Sequence, residues 1–406
     1  MTVGLRGLCW DHPRCTGPMA AAAAAYRRVQ PDVHVTWDAR PLAKFNDEPP
    51  WEVDGRYDLI YVDHPMSGGI AERRALVPFE ESLAPGTLQR IAAESVGASH
   101  RSYAWAGRHW ALGVDAACHV AATHTVRLAE LGRTAPRTWA DVLDLARSAP
   151  GAVALPLGPA DAMCALISLS ANASVAEGRE AHWLDRQAVA FLVELAGLVD
   201  PACFDLNPSR LLARMTAGGP VAYVPLIFGY ATLHRPPCAF TDVPGRDGAP
   251  EGAVLGGAGL GVLPTSAHVQ EAADFAAWLM NSGVQRDVLI PAGGQPGNRI
   301  AWADARADEQ TGGFLSATRR SIEGAYVRPR DPWWPAFQLT GGKLLATLLR
   351  RGASAEHIAD EVEELASDLR GRPTGPTTAE PTPAEPTPAD LTPADLTPAG
   401  PAEPRR

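Results

Sequence analysis

The chain contains very little lysine, no paired-cysteine motif and no long apolar run. Its 406 residues include 36 basic and 46 acidic side chains, which give a net charge of −10, and lysine occurs only at Lys44 and Lys343. The sequence has no basic patch, which argues against nucleic acid or an anionic membrane surface as a partner. No stretch approaches the about 20 consecutive apolar residues that a membrane-spanning helix requires.

The six cysteines lie far apart and form no CxxC pair. This spacing predicts reduced, mostly buried thiols rather than a zinc site. Walker and Gly-x-Ser-x-Gly motifs are also missing from the sequence. Because no complete catalytic motif is present, we predict no cofactor and no metal. We favour a protein that is not an enzyme, while leaving catalysis open.

The first predicted strand begins near Leu5 and leaves no room for a signal peptide before it. Taken as it stands, the sequence therefore predicts a cytoplasmic protein. The alternative is an exported or cell-surface protein whose true start codon lies upstream of the present one.

The length of the chain predicts two domains rather than one. Strand-like and helix-like segments alternate over the first 80 or so residues, which predicts a three-layer α/β domain with a parallel sheet. A hairpin pattern at Trp105–Val114 leads into a predicted crossing segment at Asp115–Ala122. Residues 371–406 consist largely of repeated Thr-Pro-Ala units and predict a disordered tail.

The triplet Asp-His-Pro occurs twice, each time directly after a strand-like run. The copies are Asp11-His12-Pro13 and Asp63-His64-Pro65. Ligands of open parallel sheets bind beyond the carboxyl ends of the strands, so we expect both copies in one crevice. Three interpretations remain open for the four Asp and His side chains. They could hydrogen-bond a polar ligand, cap the helices that follow, or form a catalytic or metal site.

Further candidate ligand-binding residues each have a structural alternative. Trp10 could stack on a sugar face or belong to the core, and Asp115 could face a cleft or hold a hinge. Gly256 and Gly257 would allow close approach of a ligand to the backbone, or serve a turn. Trp333 and Trp334 are adjacent, and we expect at least one of them to line or rim the cleft.

Several segments, taken in order, carry a family resemblance that spans roughly residues 5–370. They are Tyr57–Asp63, Leu76–Phe79, Tyr103–Asp115, Gly256–Val262, Glu271–Trp278 with Gln285-Arg286, and Gly293–Trp302. Together they resemble a bacterial extracellular solute-binding protein of the family that serves sugar ABC transporters.

The resemblance implies an α/β, two-lobed, periplasmic-binding-protein-like (type II) fold with a hinge and a ligand cleft between the lobes. Lobe 1 is expected at 1–112 and 252–300, and a helix-rich lobe 2 at 113–251 and 301–370. The implied function is capture of a small polar, carbohydrate-like ligand by a monomer that serves an ABC permease, with Tyr230 touching the ligand. The alternative is an intracellular enzyme or sensor on the same fold that uses the Asp-His pairs as acid/base groups or metal ligands.

Overall fold

The computed structural model describes residues 2–371, so the tail predicted for 371–406 lies outside the described residues except for Gly371. Within the described range the strands are β1 (Val3–Trp10), β2 (Val33–Arg40), β3 (Leu59–Val62), β4 (Ala104–Trp105), β5 (Arg108–His109), β6 (Leu112–His124), β7 (Tyr223–Phe228), β8 (Cys238–Thr241) and β9 (Leu255–Val262).

Helices occupy most of the remaining described sequence. They are α1 (Pro13–Val29), α2 (Leu42–Asp47), α3 (Ser67–Arg73), α4 (Pro85–Ala93), α5 (Thr125–Glu130), α6 (Trp139–Ser148), α7 (Pro159–Ala176), α8 (Arg186–Leu198), α9 (Pro208–Thr216), α10 (Val269–Leu279), α11 (Ser282–Val284), α12 (Arg299–Trp302), α13 (Ala305–Gln310), α14 (Phe314–Ala317), α15 (Arg319–Glu323), α16 (Trp334–Arg350) and α17 (Ala355–Arg370). Two short 3-10 turns near the site span His64–Met66 and Arg101–Tyr103.

The main sheet has the order β2-β1-β3-β9-β6-β7, with β8 also paired to β6. Strands β1, β2 and β3 run parallel, whereas β9 runs antiparallel to both β3 and β6. The predicted parallel sheet is therefore correct for the first three strands and wrong for the sheet as a whole. The reason is that β9 comes from a much later part of the chain and enters the sheet in the opposite direction.

The first lobe is built on both faces of this sheet. Along β3, Leu59 and Tyr61 join the core that contains α1 and α10, while Ile60 and Val62 join a second cluster on the opposite face, beside α3. A strand that is covered on both faces has no solvent-exposed side, so it needs no alternating polar residues, and this explains its continuous apolar sequence. The larger core of the second lobe gathers side chains from α6 to α9, α16 and α17.

Strand β6 connects the two lobes, and all 13 of its residues are buried. Its first half pairs with β9, and its second half pairs with β7 and β8. The crossing predicted at Asp115–Ala122 is therefore correct in place but too short. The hairpin predicted before it is confined to β4 and β5.

Gly257 supports this crossing through its backbone conformation. Its φ is +98°, and a Cβ atom added there would lie 2.3 Å from the carbonyl oxygen of Asp115. An L-residue is strained at such a φ, and the partner here is backbone that cannot rotate away. The close approach that glycine permits at this position is thus to strand β6.

We predict that Gly257→Ala lowers the free energy of unfolding by about 1–3 kcal/mol, because strain and a backbone clash act together. Urea denaturation of the purified protein measures this. Gly4→Ala is the matched control, since no heavy atom lies within 4 Å of its added Cβ. Equal stability of the two variants would contradict the role assigned to Gly257.

Candidate functional site

The two Asp-His-Pro triplets lie at the same edge of the sheet, because they follow the neighbouring parallel strands β1 and β3. In the first copy, His12 caps helix α1, and its Nδ1 accepts a hydrogen bond of 3.0 Å from the backbone N–H of Arg14. The Asp11 side chain is exposed. In the second copy, Asp63 is the capping residue and accepts a 2.9 Å bond from the N–H of His64. Capping is thus one role of the triplets, performed by a different residue in each copy.

Asp63 also forms a buried ion pair with Arg328. Arg328 Nη2 lies 2.8 and 2.9 Å from the two carboxylate oxygens, and both residues are less than a tenth exposed. Burial by itself raises the pKa of Asp63, but Arg328 and His64 outweigh it and lower that pKa to about 2. The carboxylate is therefore ionised at neutral pH, and Arg328 compensates its charge.

Arg328 belongs to a segment that is fixed against the first lobe. The neighbouring Arg330 donates a 2.6 Å hydrogen bond to the carbonyl oxygen of Ala104, and its own carbonyl accepts a 2.9 Å bond from the N–H of Gly68. Arg328 Nη1 reaches across to Gln338 Oε1 on helix α16, at 3.1 Å. The two lobes are thus in contact through Arg328, while the lobe boundaries expected from the sequence stay a prediction.

A second buried ion pair joins Arg14 to Asp115. Arg14 Nε donates a 2.8 Å bond to Asp115 Oδ2, Nη2 contacts the other carboxylate oxygen, and Nη1 donates to the carbonyl oxygen of Gly229 at 3.3 Å. Burial raises the pKa of Asp115. Burial alone would lower the pKa of Arg14, but the neighbouring Asp115 carboxylate outweighs this effect and raises it. A two-point contact of this kind is that of an ionised pair, so both groups are charged at neutral pH.

Arg14 was missed by the sequence analysis although the sequence contains a signal for it. It lies in the first turn of α1, where the partial positive charge of the helix N-terminus disfavours a cation. A basic residue in that position needs a compensating anion, and Asp115 supplies it from β6, 101 residues further along the chain. The sequence left two interpretations for Arg328, binding of a carboxylate or a solvated loop, and the structure shows it buried against the carboxylate of Asp63.

Three polar side chains close to Asp63 have unused hydrogen-bonding atoms. Within residues 2–371, both ring nitrogens of His64, the hydroxyl of Tyr103 and Nε of Arg328 are buried without a hydrogen-bond partner. His64 Nδ1 lies 3.4 Å from a carboxylate oxygen of Asp63, outside hydrogen-bond geometry. Burial and Arg328 lower the pKa of His64 to about 4, so its imidazole is neutral at pH 7. Buried polar groups left in this state are costly and call for an explanation.

The aromatic candidates Trp10 and Tyr230 flank the Arg14–Asp115 pair. Trp10 is buried against Tyr61, with 5.5 Å between ring centroids, and helps to line a cavity of about 10 Å³ that also borders on Arg14 and Asp115. Tyr230 is half-buried, its ring 5.1 Å from that of His12. Tyr230 of the second lobe thus meets the first triplet where the lobes come together.

The two adjacent tryptophans lie in different surroundings, and only Trp334 departs from the expected position at the cleft. Trp334 is fully buried at the start of α16, and its ring packs 5.4 Å from Trp183 and 5.1 Å from Phe337 in the core of the second lobe. The expectation for Trp334 is therefore corrected, because the helix turns this ring inward. Trp333 is half-buried, and the guanidinium of Arg370 lies 4.8 Å from its ring.

The remaining candidates lie at the crossing between the lobes. Gly256 and Gly257 pair with Ala117 and Ala116 of β6, and a Cβ at Gly256 would collide with the ring of Phe228 at 2.6 Å. Among residues 2–371, no three His, Cys, Asp or Glu side chains are grouped to hold a metal, and no helix is long and apolar enough to cross a membrane.

No protein-family model matches the chain, and no curated protein matches it. Solved structures do match its fold. Maltose-bound MalE3 of T. maritima superposes with a TM-score of 0.71 at 16% identity, covering 91% of this chain and 99% of that one. The chain has the two-lobed, periplasmic-binding-protein-like fold. The sugar-binding protein MalE of Xanthomonas citri matches with a TM-score of 0.72 at 16% identity, covering 90% and 97%.

A third similar structure is a Thermotoga lettingae ABC transporter solute-binding protein bound to α-D-tagatose, with a TM-score of 0.71 at 15% identity, covering 91% of this chain and 100% of that one. The α/β, two-lobed fold expected from the sequence is thereby confirmed. At these identities the likeness concerns the fold, and the ligand has to be argued from the site.

We predict that Arg328→Met lowers the free energy of unfolding by about 3–5 kcal/mol, because it leaves the Asp63 carboxylate buried and unpaired. The double variant Asp63→Asn with Arg328→Met should lose less than Arg328→Met alone. Arg186→Met, which breaks two exposed pairs, with Asp360 and Glu363, is the control and should cost about 1 kcal/mol or less. Denaturant unfolding measures all four proteins. If the double variant were the least stable, the ion-pair account would be wrong.

We predict that His64 makes the protein less stable as the pH falls from about 6.5 to about 4. The pKa of His64 is about 4 in the folded protein, below the ordinary value of 6.5. On acidification the unfolded chain therefore binds the proton before the folded protein does, and the free energy of unfolding falls across this window. The loss between pH 7 and 4.5 should be about 2 kcal/mol from this residue.

His64→Gln should therefore flatten the pH dependence of the unfolding free energy, measured in urea at pH 7 and pH 4.5. His357→Gln, on the exposed face of α17, is the matched control and should retain the wild-type slope. Identical slopes for the two variants would show that His64 does not carry this dependence.

Proposed function

We propose that the chain is a solute-binding protein that captures a small polar, carbohydrate-like ligand between its two lobes for an ABC-type transporter. The observation that carries the proposal is the set of buried, charged side chains where the lobes meet. Asp63 and Arg328 form one pair, and Arg14 and Asp115 form the other. If these groups only held the two lobes together, well-packed apolar side chains of similar volume would stabilise the contact at least as well.

The chemistry of these groups suits a ligand rich in hydroxyls. Each carboxylate oxygen of Asp63 and Asp115 has more than one lone pair to offer, and a ligand hydroxyl can donate to one group while accepting from another. The matched structures support the same ligand class. Those proteins include one bound to maltose, one to α-D-tagatose, one in complex with ribitol and one with D-mannitol.

The permease partner and the cellular location belong to this proposal. A protein that delivers a ligand to a permease works on the outer side of the cytoplasmic membrane, which corresponds to the exported alternative. The cytoplasmic location expected from the sequence corresponds instead to an intracellular enzyme or sensor. Fractionation of cells that express the gene from its own promoter distinguishes these locations.

We predict that at least one neutral sugar or polyol raises the melting temperature of the purified protein. The screen contains maltose, D-tagatose, ribitol and D-mannitol, with organic acids and divalent metals as further classes. A ligand at a hundredfold excess over its Kd stabilises the folded state by about 2.7 kcal/mol. The reason is that only the folded protein presents the inter-lobe groups.

Asp63→Asn should abolish or weaken this shift, whereas Asp360→Asn, at an exposed ion pair of α17, should retain it. Isothermal titration measures the affinities of the same proteins. Stabilisation by a metal or an organic acid, with no response to any sugar or polyol, would contradict the proposal and favour the enzyme or sensor.

A further inference from the structure

Tyr103 is buried next to Asp63 although its hydroxyl has no hydrogen-bond partner among the described residues. The residue ends the short turn Arg101–Tyr103 and is 2% exposed. Its ring lies 6.2 Å from that of His64, in an edge-to-face arrangement. The phenol also lies within electrostatic reach of both Asp63 and Arg328, so it belongs to the same buried cluster as that ion pair.

The ring of Tyr103 is held in this place by strand β9. A Cβ atom added at Gly259 would lie 2.5 Å from the Tyr103 ring, so only glycine leaves room for it. The surrounding apolar cluster includes Ile60, Val62 and Trp110. Packing of this kind fixes where the hydroxyl lies without giving it a partner.

We propose that Tyr103 is a ligand-binding residue, and that its hydroxyl, the ring of His64 and Nε of Arg328 form an inner subsite for adjacent hydroxyls of an uncharged sugar or polyol. This inference rests on the proposed function and deepens it, because it names the groups that decide which ligand is accepted. From the sequence, Tyr103 is only the first residue of a segment that carries the family resemblance, and it lies outside both Asp-His-Pro triplets.

The unused atoms of the subsite match hydroxyls rather than ions. Arg328 Nε can only donate, the Tyr103 hydroxyl can donate and accept, and a neutral imidazole has one donor and one acceptor nitrogen. A hydroxyl also combines a donor with an acceptor, so adjacent hydroxyls of one ligand can pair with several of these donors and acceptors at once. An anion would satisfy the donors alone, and a metal ion the acceptors alone.

The charges of the subsite lead to the same class of ligand. The carboxylate of Asp63 and the guanidinium of Arg328 cancel at contact distance, so neither is left to neutralise a charged ligand. Burial, Asp63 and Asp115 all raise the pKa of Tyr103, and its phenol is therefore protonated. A charged ligand would have to lose its hydration without gaining a counter-charge.

The carboxylates of both inter-lobe ion pairs act electrostatically on Tyr103. Asp63 follows strand β3 and Asp115 lies within β6, and both raise the pKa of the phenol. A ligand that contacts both carboxylates would therefore come close to Tyr103. Entry requires the lobes to separate, because Arg328 forms an ion pair with Asp63, at the end of β3 in the first lobe.

Tyr103→Phe tests the assignment, since it removes only the hydroxyl. Wild type and variant are titrated calorimetrically with maltose, D-tagatose, ribitol and D-mannitol. We expect the variant to bind the accepted ligand at least tenfold more weakly, and to melt, without ligand, at the same or a higher temperature. A buried hydroxyl that has no partner contributes nothing to the stability of the empty protein.

Tyr223→Phe is the matched control. The Tyr223 hydroxyl is equally buried but donates a 3.3 Å hydrogen bond to the carbonyl oxygen of Pro136 in the second lobe. This control should melt at a lower temperature than wild type and bind the ligand with unchanged affinity. The opposite pattern in Tyr103→Phe, with binding lost and melting retained, separates a ligand contact from a structural one.

Two outcomes would overturn the assignment, and they can be told apart. If wild type binds a sugar or polyol and Tyr103→Phe binds it equally well, the role of Tyr103 is wrong while the proposed function stands. If wild type binds none of the four compounds, the proposed function is contradicted and the role of Tyr103 falls with it.

Discussion

A carboxylate that is buried between two lobes needs a cation in direct contact to compensate its charge, and the arrangement around Asp63 follows from this requirement. Removing an ion from water costs several kcal/mol unless a well-placed counter-ion compensates it. Arg328 provides that compensation and also reaches Gln338 on α16, where the indole N–H of Trp334 donates to the same amide oxygen at 3.3 Å. One ion pair thereby connects the end of strand β3 to the core of the second lobe.

The parts of this site that are local in sequence could be predicted from it. The repeated Asp-His-Pro marked the ends of two strands, and the parallel pairing of neighbouring strands brings such ends to one edge of a sheet. The counter-ions could not be predicted in the same way. Arg328 lies 265 residues from Asp63, and no local periodicity or capping preference relates residues so far apart.

Predictions were weakest where one pattern fits two environments. Strand β6 is buried along its whole length although it contains Asp115, His119 and His124, so its sequence gives no sign of where one lobe ends. Adjacent tryptophans in a Pro-rich segment suggested a cleft wall. The helix that begins at Trp334 turns this ring into the core instead, because a helix directs successive side chains about 100° apart around its axis.

We propose that the buried polar cluster between the lobes is the place where a ligand is held. The most direct measurement is a crystal structure of the protein grown with the sugar or polyol that stabilises it most. The account predicts the ligand between the lobes, with its hydroxyls within hydrogen-bonding distance of Asp63, His64 and Tyr103. A ligand bound elsewhere, with the Asp63–Arg328 cluster closed and unchanged, would contradict it.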